Sequence, residues 1–137
     1  MEARAIRVEK PFAAAEEKFV ELVARLSSQD SVGMTHGDLE ILITSEGREL
    51  QRRLLQGHLD LRGAGEKMLA VVSGTDGVER TLHRHSARGL LTVFGLVTLL
   101  RLSYGKRGQS SLSPLDEALN LPEERYSNGL RRLAAVE

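Results

Sequence analysis

The chain has 137 residues, 19 basic and 19 acidic side chains, a formal net charge of zero and no cysteine. This length suits a single domain with a hydrophobic core, and the lack of cysteine excludes disulfides, thiolate metal sites and cysteine nucleophiles. The charged first residues and the shortness of every apolar run predict a cytoplasmic protein with no signal peptide and no membrane span.

The charges are unevenly distributed along the chain. Between Arg80 and Leu115 there are six basic residues and no Asp or Glu, which leaves 13 basic against 19 acidic residues elsewhere. A local excess of positive charge is typical of a surface that binds polyanions, whereas a zero net charge disfavours a strong autonomous nucleic-acid binder. A solvated basic face that is balanced by acidic helices explains the same pattern, so the charge alone leaves both interpretations open.

Two amphipathic helices are predicted in the first half of the chain. In residues 11–25 apolar side chains recur at spacings of three and four, and Pro11 is a favourable first helical residue. Thr35 and Asp38 resemble a capping box that begins a long second helix over residues 35–61.

The long helix carries an apolar seam with spacings of four and seven residues, formed by Leu39, Ile43, Leu50, Leu54 and Leu61. Gly47 and Gly57 lie in or beside this seam, although glycine costs about 1 kcal/mol in a helix interior. Close packing against a neighbour explains both glycines, and so does tolerance of two weak positions. Arg52, Arg53 and Gln56 are expected to face away from the seam.

A β-hairpin is predicted in the second half. Residues 90–94 and 97–104 are rich in β-branched and aromatic side chains, and Gly95 with Leu96 between them matches a two-residue type II′ turn. In the second of these strands Val97, Leu99 and Arg101 are expected to share a face. The hairpin is expected at the centre of an antiparallel sheet of three or four strands.

The predicted fold class is α+β. Two N-terminal helices, one of them long, pack on a small antiparallel sheet or hairpin, and short C-terminal helices follow. Residues 114–120 form one of these short helices, and Ser127 caps the last, which the end of the chain cuts short. A single domain over residues 1–137 is expected, with a helical part in 1–66, a β part in 67–108 and short helices in 109–137.

The sequence offers little enzymatic chemistry. His83 and His85 lie on one side of a strand with no third ligand nearby, so no metal site is predicted. Asp116 is expected to cap a short helix rather than to act in catalysis. There is no nucleophile triad and no phosphate-binding glycine loop, so neither a cofactor nor a small-molecule substrate is predicted, and the chain is not expected to be an enzyme.

The basic stretch supplies the candidate site. Arg101, Lys106 and Arg107 on the hairpin and its following loop, together with Arg131 and Arg132 on the last helix, are the candidate phosphate contacts on duplex DNA. The alternative function is an interaction module, in which the glycine-bearing seam and the apolar hairpin mediate assembly into a homo-oligomer or docking to another domain.

Six segments follow one another in an order typical of one family: SEGRELQRRLLQ (45–56), HLDLR (58–62), VFG (93–95), RLSY (101–104), PLDEALNLP (114–122) and YSNGLRR (126–132). Over about residues 27–137 the chain resembles the N-terminal region of bacterial insertion-sequence transposases of the Kra group, which are DDE-type enzymes. The resemblance implies that a catalytic domain with an RNase H-like fold and a metal-binding acidic triad follows later in family members. The chain is therefore expected to be a truncated, non-catalytic module that assists transposon-end DNA binding or transposase assembly.

The chain departs from the family pattern within these motifs. Leu96 stands where the family's hairpin turn carries a polar or acidic residue, and Leu99 and Leu100 replace a more polar pair. These departures raise the hydrophobicity expected at the surface of the hairpin.

Overall fold

The computed structural model describes residues 10–136 and confirms the α+β fold class. The elements are α1 (Ala13–Leu26), α2 (Gln29–Val32), α3 (His36–Ala64), β1 (Val72–Ser73), β2 (Glu79–Arg80), β3 (Leu82–Thr92), β4 (Gly95–Gly105), α4 (Pro114–Ala118) and α5 (Asn128–Val136). Strand β1 pairs with β2 and β3 pairs with β4, both antiparallel. Two separate two-stranded sheets therefore replace the predicted sheet of three or four strands.

Within residues 10–136 no helix is both long enough and apolar enough to cross a membrane.

Two predicted helix starts are confirmed by their caps. The Thr35 hydroxyl accepts a hydrogen bond from the backbone N–H of Asp38 at 3.2 Å, at the start of α3. The Ser127 hydroxyl accepts one from the N–H of Leu130 at 3.1 Å, at the start of α5. Each cap satisfies a backbone donor that the first helical turn leaves without a partner.

Helices α1 and α3 pack as an antiparallel pair. Lys18 Nζ lies 2.5 Å from Glu46 Oε1, and Arg53 donates to the carbonyl of Ala14 at 3.0 Å. This ion pair raises the pKa of Lys18 and lowers that of Glu46, because each carboxylate–ammonium hydrogen bond favours the charged forms. These two contacts fix the position of α1 along the axis of α3.

The two glycines of α3 differ in their surroundings. At Gly57 a Cβ would lie 2.6 Å from the carbonyl oxygen of Pro11 and 2.7 Å from the ring of Phe12. At Gly47 nothing lies within 4 Å of the same position. The prediction that a neighbour packs closely against the glycines is therefore confirmed at Gly57 and wrong at Gly47.

The predicted apolar seam of α3 is not the buried face. Ile43, Leu54 and Leu61 are 50%, 46% and 43% exposed, whereas Leu42 and Leu59 are buried. The reason is that α3 has two neighbours, α1 and β4, and meets β4 through Leu55 and Leu59 in the core together with the polar side chains of Arg52 and Gln56. Arg52 lies on the side of α3 away from this seam, as expected, but that side faces β4, where Arg52 donates to the carbonyl of Leu96.

The hairpin is confirmed, but its turn lies two residues earlier than predicted. Thr92 pairs with Gly95, so Val93 and Phe94 form the turn and Gly95 begins β4 with φ +121°. The Thr92 hydroxyl donates to the carbonyl of Gly95 at 2.7 Å and accepts from the N–H of Phe94 at 3.1 Å. A threonine at the first turn position and a glycine at the last therefore hold the turn.

The core lies where the hairpin meets α3 and α4. Its buried members are Leu59, Leu90, Val97, Leu99 and Leu115, against which Leu55, Leu119 and Leu121 pack. Because Leu90 is opposite Val97 in the ladder, both side chains leave the same face of the hairpin. The core holds the turn half of the hairpin, and the loop that follows β4 lies at the other end.

Candidate nucleic-acid interface

The structure separates the five predicted phosphate contacts into three places. Lys106 and Arg107 lie in the loop after β4, at the open end of the hairpin. Arg131 and Arg132 lie on α5, which begins beside the turn end, where the N–H of Ser127 donates to the carbonyl of Leu91. At about 3.3 Å per residue these two ends of the hairpin are roughly 30 Å apart.

Arg101 lies between them and faces Asp116. Its side chain is 14% exposed, and its Nε lies 3.0 Å from Asp116 Oδ1. Arg88 Nη1 is 2.8 Å from the other oxygen of the same carboxylate. Arg101 is thus mostly buried beside Asp116 and lies apart from the exposed cations of the other two places.

Asp116 is therefore an ion-pair partner and not a helix cap. The N-cap of α4 is Ser113, and Asp116 lies in the first turn of that helix. The alignment of Arg101 with Asp116 is poor despite the short distance, so Nε and Nη1 of Arg101 have no hydrogen-bond partner among residues 10–136. Arg88 is better satisfied, since it also donates to the carbonyls of Pro122 and Glu124.

The arginines of α5 are exposed. Arg131 Nη1 lies 3.0 Å from Glu124 Oε1, and about half of each side chain is accessible. Arg132 is also exposed. A surface pair of this kind contributes little to stability, and it reduces the positive charge that Arg131 offers to a phosphate.

A cleft of about 270 Å³ lies at the open end of the hairpin. We name it the basic cleft, and its lining is Leu82, His83, Arg84, Ser103, Gly105, Lys106, Arg107, Gln109 and Ser111. Three of these side chains are cationic, and no Asp or Glu is among the described residues that line it. Arg84 and His83 were missed as site residues, although they belong to the same acid-free stretch as Lys106.

The loop that forms one wall of the cleft is tied down at both ends. Tyr104 and Leu112 exchange backbone hydrogen bonds at 2.7 and 2.8 Å, which closes residues 105–111 into a loop. Within it the N–H of Gln109 donates to the carbonyl of Lys106 at 2.9 Å, and Gly108 supplies a φ of +81°. These bonds hold Lys106 and Arg107 at the mouth of the cleft.

Arg80 supports this loop from inside. It is 2% exposed, and its Nε donates to the carbonyl of Ser110 at 3.0 Å. Its Nη2 lies 2.9 Å from Asp76, and the hydrogen bonds from Arg80 and from the N–H of Val78 lower the pKa of Asp76 to about 2. Asp76 is thus ionised at neutral pH and neutralises Arg80, which positions the loop and is not free to meet an anion.

The chemistry of the basic cleft is that of anion binding. Arg84 and Arg107 offer planar guanidinium groups that suit two phosphate oxygens, and Lys106 offers a compact charge. Ser111 and Gln109 add neutral donors of the kind that contact nucleic-acid backbones. Elsewhere among residues 10–136 a larger cleft of about 440 Å³ contains Asp116 and Glu117, which disfavour an anion.

The histidines of β3 are exposed near this cleft. The rings of His83 and Tyr104, which are opposite each other in the ladder, have centroids 6.3 Å apart and are tilted by 48°. In the part of the chain that the structure describes, no group of three His, Asp or Glu side chains could hold a metal ion.

Comparison of the chain with protein-family models, curated proteins and solved structures gives no match.

Proposed function

We propose that the chain is a non-catalytic DNA-binding module, which holds the phosphates of a duplex through the basic cleft. The observation that carries the proposal is the convergence of Arg84, Lys106 and Arg107 on a cleft whose described lining contains no carboxylate. The motif order in the sequence supports the ends of a mobile DNA element as the target and transposition as the process.

The energetics of such a surface are dominated by counterion release. Each phosphate that a cation neutralises contributes about −0.9 to the slope of log affinity against log salt concentration on duplex DNA. Three cations in the basic cleft therefore give a slope of roughly −3, which is a weak interaction at physiological salt. A net charge of zero agrees with a module that contributes to binding as part of a larger assembly.

The first prediction concerns the double substitution Lys106→Ala with Arg107→Ala. Fluorescence anisotropy with a labelled duplex across a salt series is expected to give a slope smaller by about two than that of the unaltered chain, because two phosphate contacts are lost. The matched control is Arg48→Ala with Lys67→Ala, which removes the same charge at two exposed positions outside the cleft. That control is expected to keep the slope of the unaltered chain.

Two results would contradict this proposal. One is the absence of any binding to duplex DNA at low salt. The other is an equal loss of slope in both double variants, which would attribute binding to overall charge and not to the basic cleft.

A second candidate function, self-association, is favoured by an exposed apolar face on the helical pair. The ion pair of Lys18 with Glu46 sets the two helices at one level, and the helical repeat then places Phe19 and Val23 of α1 on the same side as the seam of α3. We name this side the helical face, and its exposed members are Phe19 (57%), Val23 (48%), Ile43 (50%), Leu54 (46%) and Leu61 (43%). Apolar patches of this kind mark interaction surfaces.

The second prediction tests the helical face with two isoleucines. Ile43→Glu is expected to abolish concentration-dependent association in sedimentation velocity, because it introduces a charge into the apolar face beside Phe19 and Val23. Ile41→Glu is the matched control, since Ile41 is 68% exposed and lies on nearly the opposite side of α3. A strictly monomeric unaltered chain would contradict this function, and so would equal behaviour of the two variants.

A further inference from the structure

The two outer edges of the β3–β4 hairpin are treated differently by the fold. The edge of β4 is bonded at most of its outward-facing residues, including Tyr104, which pairs with Leu112. Arg52 donates to the carbonyl of Leu96, and the Gln56 amide bonds both the N–H and the carbonyl of Thr98 at 2.9 and 2.7 Å. The Glu66 carboxylate accepts from the N–H of Leu102 at 2.7 Å. The side chains of Arg52 and Gln56 on α3, and of Glu66 just after it, thus bond backbone groups of β4 that a neighbouring strand would otherwise pair.

The edge of β3 is open over most of its length. Leu91 has its backbone N–H and carbonyl bonded outward, to Arg125 and Ser127. Because outward groups recur at every second residue, those of residues 83, 85, 87 and 89 point the same way. No residue among 10–136 donates to or accepts from these groups.

An open edge of this length is a template for strand addition. Residues 83–89 span about 23 Å at 3.3 Å per residue, which is the length of an ordinary strand. Their side chains are mostly exposed, so an approaching strand meets no steric barrier from the described residues. Main-chain hydrogen bonds to such an edge supply affinity, and the flanking side chains supply selectivity.

The charges along the edge select the partner. Arg84 is exposed on this segment beside His83 and His85, whereas Arg88 is paired with Asp116, and the segment contains no carboxylate. A second copy of β3 would offer no carboxylate to Arg84, because residues 83–89 carry none. A strand that carries Asp or Glu would instead form cross-strand ion pairs.

We propose that the outer edge of β3, over residues 83–89, binds an extended acidic segment of a partner protein by strand addition. The interaction uses the backbone groups of β3 and not the loop of residues 105–111, but it shares Arg84 and His83 with the basic cleft, so an acidic strand and DNA are expected to compete for them. The proposal thus places an acidic protein partner beside the basic cleft.

The protein side of the test uses Ala87, whose outward N–H is not part of the ladder with β4. Ala87→Pro removes that donor while leaving every β3–β4 hydrogen bond in place, since Ala87 and Leu100 form a pair that is not hydrogen-bonded. Ala87→Val is the matched control, because it keeps the N–H and favours the strand. A fluorescent peptide of alternating Glu and Val is expected to bind the unaltered chain and the Ala87→Val variant, and to bind the Ala87→Pro variant at least tenfold more weakly.

The peptide side of the test leaves the protein unchanged. N-methylation of alternate residues blocks one edge of the Glu-Val peptide, and methylation of the intervening residues blocks the other edge. Binding by strand addition is expected to lose affinity for one methylated series and retain it for the other, and a Lys-Val peptide is expected not to bind. Equal binding of both methylated series would overturn the proposal in favour of diffuse charge attraction. No binding of the Glu-Val peptide to the unaltered chain would overturn it in favour of no interaction.

Discussion

Asp116→Asn is expected to lower the free energy of unfolding by about 3 kcal/mol, which is at the lower end of the cost of removing one partner from a buried ion pair. The carboxylate is 22% exposed and lies between the guanidinium groups of Arg88 and Arg101, which are 15% and 14% exposed. An asparagine fits the same space but loses the negative charge, and its amide hydrogens face guanidinium donors. The two arginines would then repel each other beside the core.

The control for this change is Glu117→Gln, which removes the same charge from an exposed neighbour. Urea denaturation of both variants is expected to show a large loss for Asp116→Asn and a change within about 0.5 kcal/mol for Glu117→Gln. Equal stability of the two variants would contradict the structural role of Asp116.

Gly57→Ala is expected to destabilise the chain by about 2 kcal/mol, although alanine is the better helix former by about 1 kcal/mol. The added Cβ would lie 2.6 Å from the Pro11 carbonyl oxygen and 2.7 Å from Cδ1 of Phe12. Backbone cannot yield at that distance without moving the start of α1 away from α3. The loss is therefore expected to appear in the unfolding midpoint by circular dichroism.

Gly47→Ala is the matched control on the same helix and is expected to have the opposite sign. Nothing lies within 4 Å of the added Cβ, so the substitution should stabilise α3 by about 0.5–1 kcal/mol through helix propensity. Thermal unfolding of both variants at one low protein concentration compares them directly. A stabilising Gly57→Ala would show that α1 does not pack against α3 as described.

Much of the local structure could be predicted because its causes are local. Thr35 and Ser127 start helices through hydrogen bonds to residues three positions later, and these patterns are visible in the sequence. The alternation of Val97 and Leu99 on one face of β4 is likewise a short-range signal, and both are buried in the core.

The buried face of α3 could not be predicted, because its partners are distant in sequence. Apolar spacing favoured the side that carries Ile43 and Leu54, but the helix uses Arg52 and Gln56 to satisfy the edge of β4. A hydrophobic pattern cannot detect such contacts, since they depend on which backbone groups of another element lack partners. The predicted position of the hairpin turn was wrong for a related reason. Glycine favours the first turn position, but the hydrogen bond from the Thr92 hydroxyl to the carbonyl of Gly95 places Gly95 at the end of the turn.

The candidate site was predicted in part. Lys106 and Arg107 belong to an exposed loop, as their polar surroundings indicated. The pairing of Arg101 with Asp116 could not be anticipated, because it depends on how α4 folds back against the hairpin. The contribution of Arg84 to the basic cleft depends in the same way on the ladder between β3 and β4.

Binding of DNA in the basic cleft, as proposed above, can be tested by a backbone amide NMR titration of the whole chain with a short duplex at low salt. We expect the shifted amides to cluster in residues 82–84 and 103–111, while the amide signals of the helical face on α1 and α3 do not move. The absence of shifts, or shifts confined to the helical face or to α5, would contradict it.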